Sequence, residues 1–292
     1  MECDHCRQEA IVFQPYSGQH LCDHHFSLDV ERRAKRIIRA NGWIRPNART
    51  AIMVSGDDAG VSLVHFFATV FGERRDLSFF VVLVDDPKAD RASAEYIGEI
   101  ARTRGWEWIR VVMQDRHETA LGKAARPEYH GREQAPVLDD RIIRRIAQEK
   151  GATQLALAST LEDEACEMMR DVLWGDVSRL YRTEGENTLP LIRPFAGVPE
   201  QEVIFYARIQ GLQESGLPAR SGSQSREEIR AMLEDFTFRH PSTPFALANL
   251  RAELMIGKST GPIHRHSGQP GEDIFRRSEN MKKTPGEDQN AV

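Results

Sequence analysis

Three of the chain's four cysteines, Cys3, Cys6 and Cys22, fall within its first 22 residues; the fourth is Cys166. Cys3-x-x-Cys6 is followed by Cys22-x-x-His25, with 15 residues between the halves. Thiolates and an imidazole at that spacing can all turn inward on one tetrahedral ion. The pattern predicts a zinc knuckle over residues 1–28, with Cys3, Cys6, Cys22 and His25 as ligands. His5 and His24 are rivals for the fourth place, and Gly18 supplies the turn before the second half. So short a segment cannot build a core of its own, and the metal would replace one.

The stretch Thr50–Phe67, TAIMVSGDDAGVSLVHFF, carries a second kind of chemistry. Thr50 to Val54 reads as a buried strand, Ser55 to Gly60 as a tight turn, and Val61 onward as a helix. That succession makes an anion cradle, because the free N–H groups of a first helical turn point at the loop. Ser55, Gly56, Asp57 and Asp58 are the candidate nucleotide-contacting residues, joined by Asp85 at the end of the next strand and by Asp163. Two carboxylates, Asp57 and Asp58, stand where a bound anion would lie. Like charges at that range repel by about 1 kcal/mol or more at surface dielectric.

Two further clusters carry charge. Glu162, Asp163 and Glu164 follow Ser159 and Thr160, either of which can cap a helix. Three acids in a first turn compensate the helix dipole, and position alone favours that reading over Asp163 positioning a metal-bound nucleotide. Residues 29–41, DVERRAKRIIRAN, put Val30, Ala34, Ile37 and Ile38 on one helical face and Arg32, Arg33, Lys35, Arg36 and Arg39 around the rest. Such a run is either a solvated face or an RNA phosphate contact; beside a zinc knuckle, RNA is favoured.

The elements that must position these groups alternate. Strands at Leu77–Val84, Trp106–Val112 and Gln154–Ala158 are separated by helices at Ala92–Arg104 and Leu138–Lys150, the latter closed by Gly151. This rhythm predicts a parallel α/β sheet whose ligands bind beyond the carboxyl ends of the strands, where Ser55, Asp85 and Ser159 fall. Gln114–Val137 reads as a long surface loop. Helices are expected at Arg226–Phe236 and within His240–Leu254, and a disordered tail from Gly261. No apolar run reaches the length of a membrane span, and the chain opens on polar residues, so a cytoplasmic protein without membrane contact is expected. With a net charge of −5, any nucleic-acid contact must come from a local patch.

These residues resemble a known family, the PP-loop ATP pyrophosphatases that make 2-thiouridine in tRNA. Cys3-x-x-Cys6 with Leu21-Cys22-x-x-His25-Phe26 is similar to their first zinc finger, and Arg33 through Ile38 to the basic helix that follows it. Ser55-Gly56 matches the start of their phosphate loop. Leu161-Glu162-Asp163-Glu164-Ala165 resembles their acidic motif. Gly175-Asp176-Val177-x-Arg179-Leu180, Arg193-Pro194, Pro199-Glu200-x-Glu202-Val203 and Tyr206-Ala207 continue the match, and His240-Pro241 with Phe245 extends it toward the C-terminus.

The resemblance implies a finger at 1–28, a PP-loop α/β domain at 29–215, a helical segment at 216–260 and a degenerate second finger in the tail at 261–292. It also implies ATP and magnesium, adenylation of a uridine, and sulfur transfer through cluster-binding cysteines. Here the loop residues after Gly56 differ. No cysteine stands near Arg132, Ala135 or Leu217-Pro218, Ser159 replaces a histidine, and the second finger survives only as His264-x-x-Ser267-Gly268-Gln269-Pro270. One zinc and no iron–sulfur cluster are therefore expected, and the altered loop argues against ATP and magnesium. Cys166 is expected to be a buried, inert thiol. The reading favoured is a catalytically degenerate tRNA-thiolation relative that keeps tRNA or partner binding. The alternative is an active nucleotide-dependent tRNA-modifying enzyme with altered chemistry, in which Asp57, Asp58, Asp85 and Asp163 gather a divalent cation and a nucleotide. Expected partners are tRNA and an active paralogue or sulfur-carrier system, with a homodimer left open.

Overall fold

The structure, a computed structural model, describes residues 1–85, 91–112, 140–176, 180, 189–211 and 224–256. The loop at 114–137, the positions near Arg132, Ala135 and Leu217, and the tail from Gly261 with its remnant finger lie outside them.

Five parallel strands form the central sheet: β3 (Arg49–Val54), β4 (Ser78–Asp85), β5 (Glu107–Val112), β6 (Gln154–Leu157) and β7 (Leu191–Ile192). Their order is β5-β4-β3-β6-β7, and every neighbouring pair is parallel. The connections run outward from β3 in one direction and from β6 in the other, so the β3–β6 boundary is the switch point at which such sheets open a crevice. Strand alternation sorts the core onto two faces. Ile52 and Val54 of β3 join one apolar cluster, while Ala51 and Met53 join the other.

The helices cover both faces. On the larger cluster lie α1 (Asp23–Ala40), α2 (Asp58–Phe71), α3 (Arg91–Thr103) and α6 (Glu200–Ile209); α4 (Asp140–Glu149) packs on the other through Ile143 and Ala147. Beyond α5 (Leu161–Leu173) come α7 (Gln224–Arg239) and α8 (Thr243–Ile256), which share a small cluster with it around Cys166, Ile229 and Leu233. Among the described residues no helix is long and apolar enough to cross a membrane.

Several elements differ from the sequence reading. The basic helix begins at Asp23, not at residue 29, so it runs straight out of the knuckle and carries His25 in its first turn. The helix after Ser55 begins at Asp58, three residues before Val61, because the Asp57 carboxylate caps it. The two-residue strand β7 lies in LPLIRP, where proline and brevity conceal it. A three-residue hairpin, β1 (Val12–Gln14) with β2 (Gln19–Leu21), lies within the knuckle.

Candidate functional site

The knuckle is built by the hairpin and the start of α1. Cys3 and Cys6 lie before the hairpin, Cys22 is the N-cap of α1, and His25 sits in the first turn. The ligand atoms of all four residues lie within 4.8 Å of one another. Cys6 Sγ is 3.7 Å from Cys22 Sγ; His25 Nδ1 is 3.2 Å from Cys22 Sγ and 3.6 Å from Cys3 Sγ. A tetrahedral ion about 2.3 Å from each sulfur sets its ligands roughly 3.5–3.8 Å apart, so the donor set fits a metal. His5 and His24 stack beside the His25 ring, each with its centroid 5.3 Å away, and both are exposed. They flank the site and leave the fourth place to His25.

The electrostatics suit ligation at two of the four positions. Burial works against the Cys3 thiolate, but N–H groups at Cys22, His5 and Cys6 outweigh it and bring the thiol down to about 7. Burial, with His5, His24 and Arg32 nearby, lowers His25 and keeps its imidazole neutral. Cys6 runs the other way, raised by burial and by its two cysteine neighbours against a backbone donor at Gln8.

Beyond His25, α1 shows an outward face on which Arg32, Arg36 and Arg39 are exposed at i, i+4 and i+7. Lys35 is half-buried and 3.9 Å from Glu31. Arg33 departs from the expected stripe, because it is buried. It pairs with Glu202 of α6 and lies 2.9 Å from Asp29, with its guanidinium over the Tyr16 ring at 5.6 Å. The helical period that exposes positions 32, 36 and 39 turns position 33 inward.

At the carboxyl edge of the sheet the chemistry is consumed by the protein itself. Gly56 has a φ of +75°, which bends the chain sharply after β3. Asp57 then folds over the N-terminus of α2. Its carboxylate accepts the Gly60 N–H at 2.6 Å and the Ser55 hydroxyl at 2.8 Å. A Cβ on Gly60 would meet Asp57 Oδ1 at 2.9 Å and Val54 Cβ at 3.1 Å, so glycine is what lets the carboxylate enter. Asp58 is half-buried at the first helical position, and Asp85 ends β4 opposite Val112.

The acidic turn at β6 is spent in the same way. Thr160 caps α5 and forms a reciprocal capping box with Asp163, which also pairs with Arg226 of α7. Asp163 is thus a capping residue. Glu162 accepts the Glu200 N–H at 2.7 Å and so caps α6. Glu164 accepts the Ser159 hydroxyl at 2.8 Å and lies 3.4 Å from Arg193 and 3.1 Å from Arg251 of α8. Arg251 also reaches Glu167 and Asp171, one helical turn each further along α5. Among the described residues, Cys3, Cys6, Cys22 and His25 are the one group of three or more such donors that converge, and Asp57, Asp58 and Asp163 form no such group. Cys166 is buried, and that burial, only partly offset by Arg226 and Arg230, raises its thiol to about 11. Glu202, Tyr16 and Arg251 are the residues that sequence reasoning missed as organisers. Only the presence of Glu202 in a matched segment hinted at any of them.

A parallel α/β body with a cysteine–histidine knuckle at its head and a Ser-Gly turn at its switch point defines the class: a PP-loop fold carrying an N-terminal module whose donor set fits a metal. Residues 2–27 match the family described as "2-thiouridine synthetase TtuA, N-terminal LIM domain". The chain is 26% identical to "tRNA 2-thiolation protein NcsA" of Haloferax volcanii, covering 83% of each chain. It is 24% identical to "Cytoplasmic tRNA 2-thiolation protein 1" of Danio rerio, covering 83% of this chain and 75% of that one. Its fold matches the U34-tRNA thiolase NcsA from Methanococcus maripaludis, solved with its [4Fe-4S] cluster, at a TM-score of 0.70 over 87% of both chains and 19% identity. Along most of its length the chain is thus similar to tRNA 2-thiolation proteins, and it shares the fold of a tRNA thiolase.

Proposed function

We propose that this chain is a tRNA-binding relative of the tRNA 2-thiolation proteins that has given up adenylation and sulfur transfer. The observation that carries the reading is the Asp57 carboxylate, bound to the Gly60 N–H and the Ser55 hydroxyl. The anion cradle therefore holds an anion of the chain's own, and a polyphosphate would have to displace a covalently tethered competitor against like charge. The cysteine inventory supports the same conclusion: three of four are gathered in the knuckle, and the fourth is buried with a raised thiol. Binding remains. The face of Arg32, Arg36 and Arg39 is exposed beside the knuckle, and phosphate contact is what such a face offers RNA. Zinc is the ion that suits Cys₃His ligation, and Cys3, Cys6, Cys22 and His25 would hold it in a closed, structural site. In this reading the protein is cytoplasmic, with its finger at 1–28, its α/β body at 29–215 and its helical segment at 216–260.

The test has two arms. ATP with magnesium should leave the melting temperature unchanged, whereas a rise of several degrees at millimolar ATP refutes the loss of adenylation. In filter binding, an Arg32, Arg36 and Arg39 triple alanine variant should weaken tRNA binding roughly tenfold or more and flatten its salt dependence. Equal binding by both proteins removes this face from the interface.

A further inference from the structure

We infer that the metal knuckle controls the basic face of α1, acting through Tyr16. The inference rests on the RNA-binding reading and adds a regulatory device to it. Three observations lead there. First, Cys3, Leu21, Cys22 and Phe26 are buried in the same apolar cluster as Phe66, Phe195 and Tyr206, so the knuckle shares the core of the body. Second, the hairpin turn carries Tyr16 outward onto three other elements. Its hydroxyl donates to Glu202 of α6 at 2.7 Å, its ring lies 5.3 Å from Phe245 of α8, and Arg33 of α1 stacks on it. Third, Arg33 is buried with Nε and Nη1 lacking hydrogen-bond partners, so its burial depends on Glu202, Asp29 and the Tyr16 ring.

The order of dependence follows. A hairpin of three-residue strands does not stand alone in water, and the metal is what fixes its two ends. Gln14 at the hairpin holds Asp29 at 3.1 Å, and Asp29 in turn faces Arg33. With the metal in place, Tyr16 closes over the Arg33–Glu202 pair and α1 is held against α6. Without it, Tyr16 swings away and a buried cation loses one wall. The pair then hydrates, and α1, whose opposite face bears Arg32, Arg36 and Arg39, loses its fixed bearing.

Amide hydrogen exchange and tRNA filter binding on the full chain, zinc-loaded and then treated with a chelator, decide this. Chelation should speed exchange in α1 and α6 by roughly tenfold or more while β3 and β4 stay protected, and should weaken tRNA binding by a similar factor. Tyr16→Ala should reproduce the exchange change with zinc still bound, as read by elemental analysis; Tyr16→Phe, which keeps the ring, should give a smaller one. Faster exchange confined to residues 1–22, or an α6 indifferent to Tyr16→Ala, overturns the inference. If neither state binds tRNA, the RNA reading fails, and the exchange results still decide whether the knuckle controls α1. A chain that takes up no zinc overturns both the metal assignment and the control.

Discussion

The knuckle and the carboxyl edge of the sheet both gather side chains able to ligate a cation, and the protein treats them oppositely. In the knuckle, three thiols and an imidazole converge within 4.8 Å, and their side-chain contacts are chiefly with one another. At the sheet edge, Asp57, Glu162, Asp163 and Glu164 each have an internal partner, a backbone N–H, a hydroxyl or an arginine. One region presents a ligand set and the other has answered its own. The lesson is that a site is defined by what its polar atoms leave unpaired, and not by which residue types stand there.

The contrast can be broken most severely at the metal. If the knuckle holds zinc as proposed, Cys22→Ser should abolish zinc uptake and cost several kcal/mol of stability, read by elemental analysis and urea unfolding. A variant that keeps its midpoint would show the knuckle to be ornamental. The next largest effect falls on the joint between the regions. Arg33→Met leaves the buried Glu202 carboxylate without its cationic partner, held by the Tyr16 hydroxyl, and should lower stability by about 3–5 kcal/mol. A loss under about 1 kcal/mol would mean that the pair is hydrated, as surface pairs are.

A third effect is pH-dependent. Burial raises Glu162 to about 7, against the opposing help of the Glu200 N–H. A carboxyl raised in the folded state holds its proton more tightly there, so its stabilisation is present below about pH 4.5 and is lost as pH rises through about 7. Glu162→Gln should therefore match the wild type at about pH 4 and exceed it by about 3 kcal/mol at about pH 8, by chemical denaturation at each pH. An unchanged difference between the two pH values would show that Glu162 ionises freely. The smallest effect concerns the filled cradle. Asp57→Ala removes the cap of α2 and should lower stability by about 1 kcal/mol. No loss at all would mean that the carboxylate contributes nothing to the helix start.

Much of this was legible in the chain. The spacing of Cys3, Cys6, Cys22 and His25 named the four side chains that converge, because an i, i+3 pair brings two donors to one point whatever surrounds them. The alternation of apolar runs with helical stretches named the parallel sheet, and the short Ser-Gly turn after Val54 named its switch-point loop. The basic helix was legible in kind but not in detail. Five cations in one run look alike in sequence, yet Arg33 is buried against Glu202 while Arg32, Arg36 and Arg39 face water. Glu202 is 169 positions away, and no local pattern announces so distant a partner.

What the sequence determined by itself was therefore local: ligand spacing, strand and helix periods, and the absence of a second cysteine cluster. Only the tertiary structure decided which charges are spent. Asp57, Asp163, Glu164 and Arg33 could each have faced a ligand, and each was turned inward by a partner that folding delivered. The physical reason is that a buried charge must be paired, and pairing is settled by what the completed fold brings within hydrogen-bond reach.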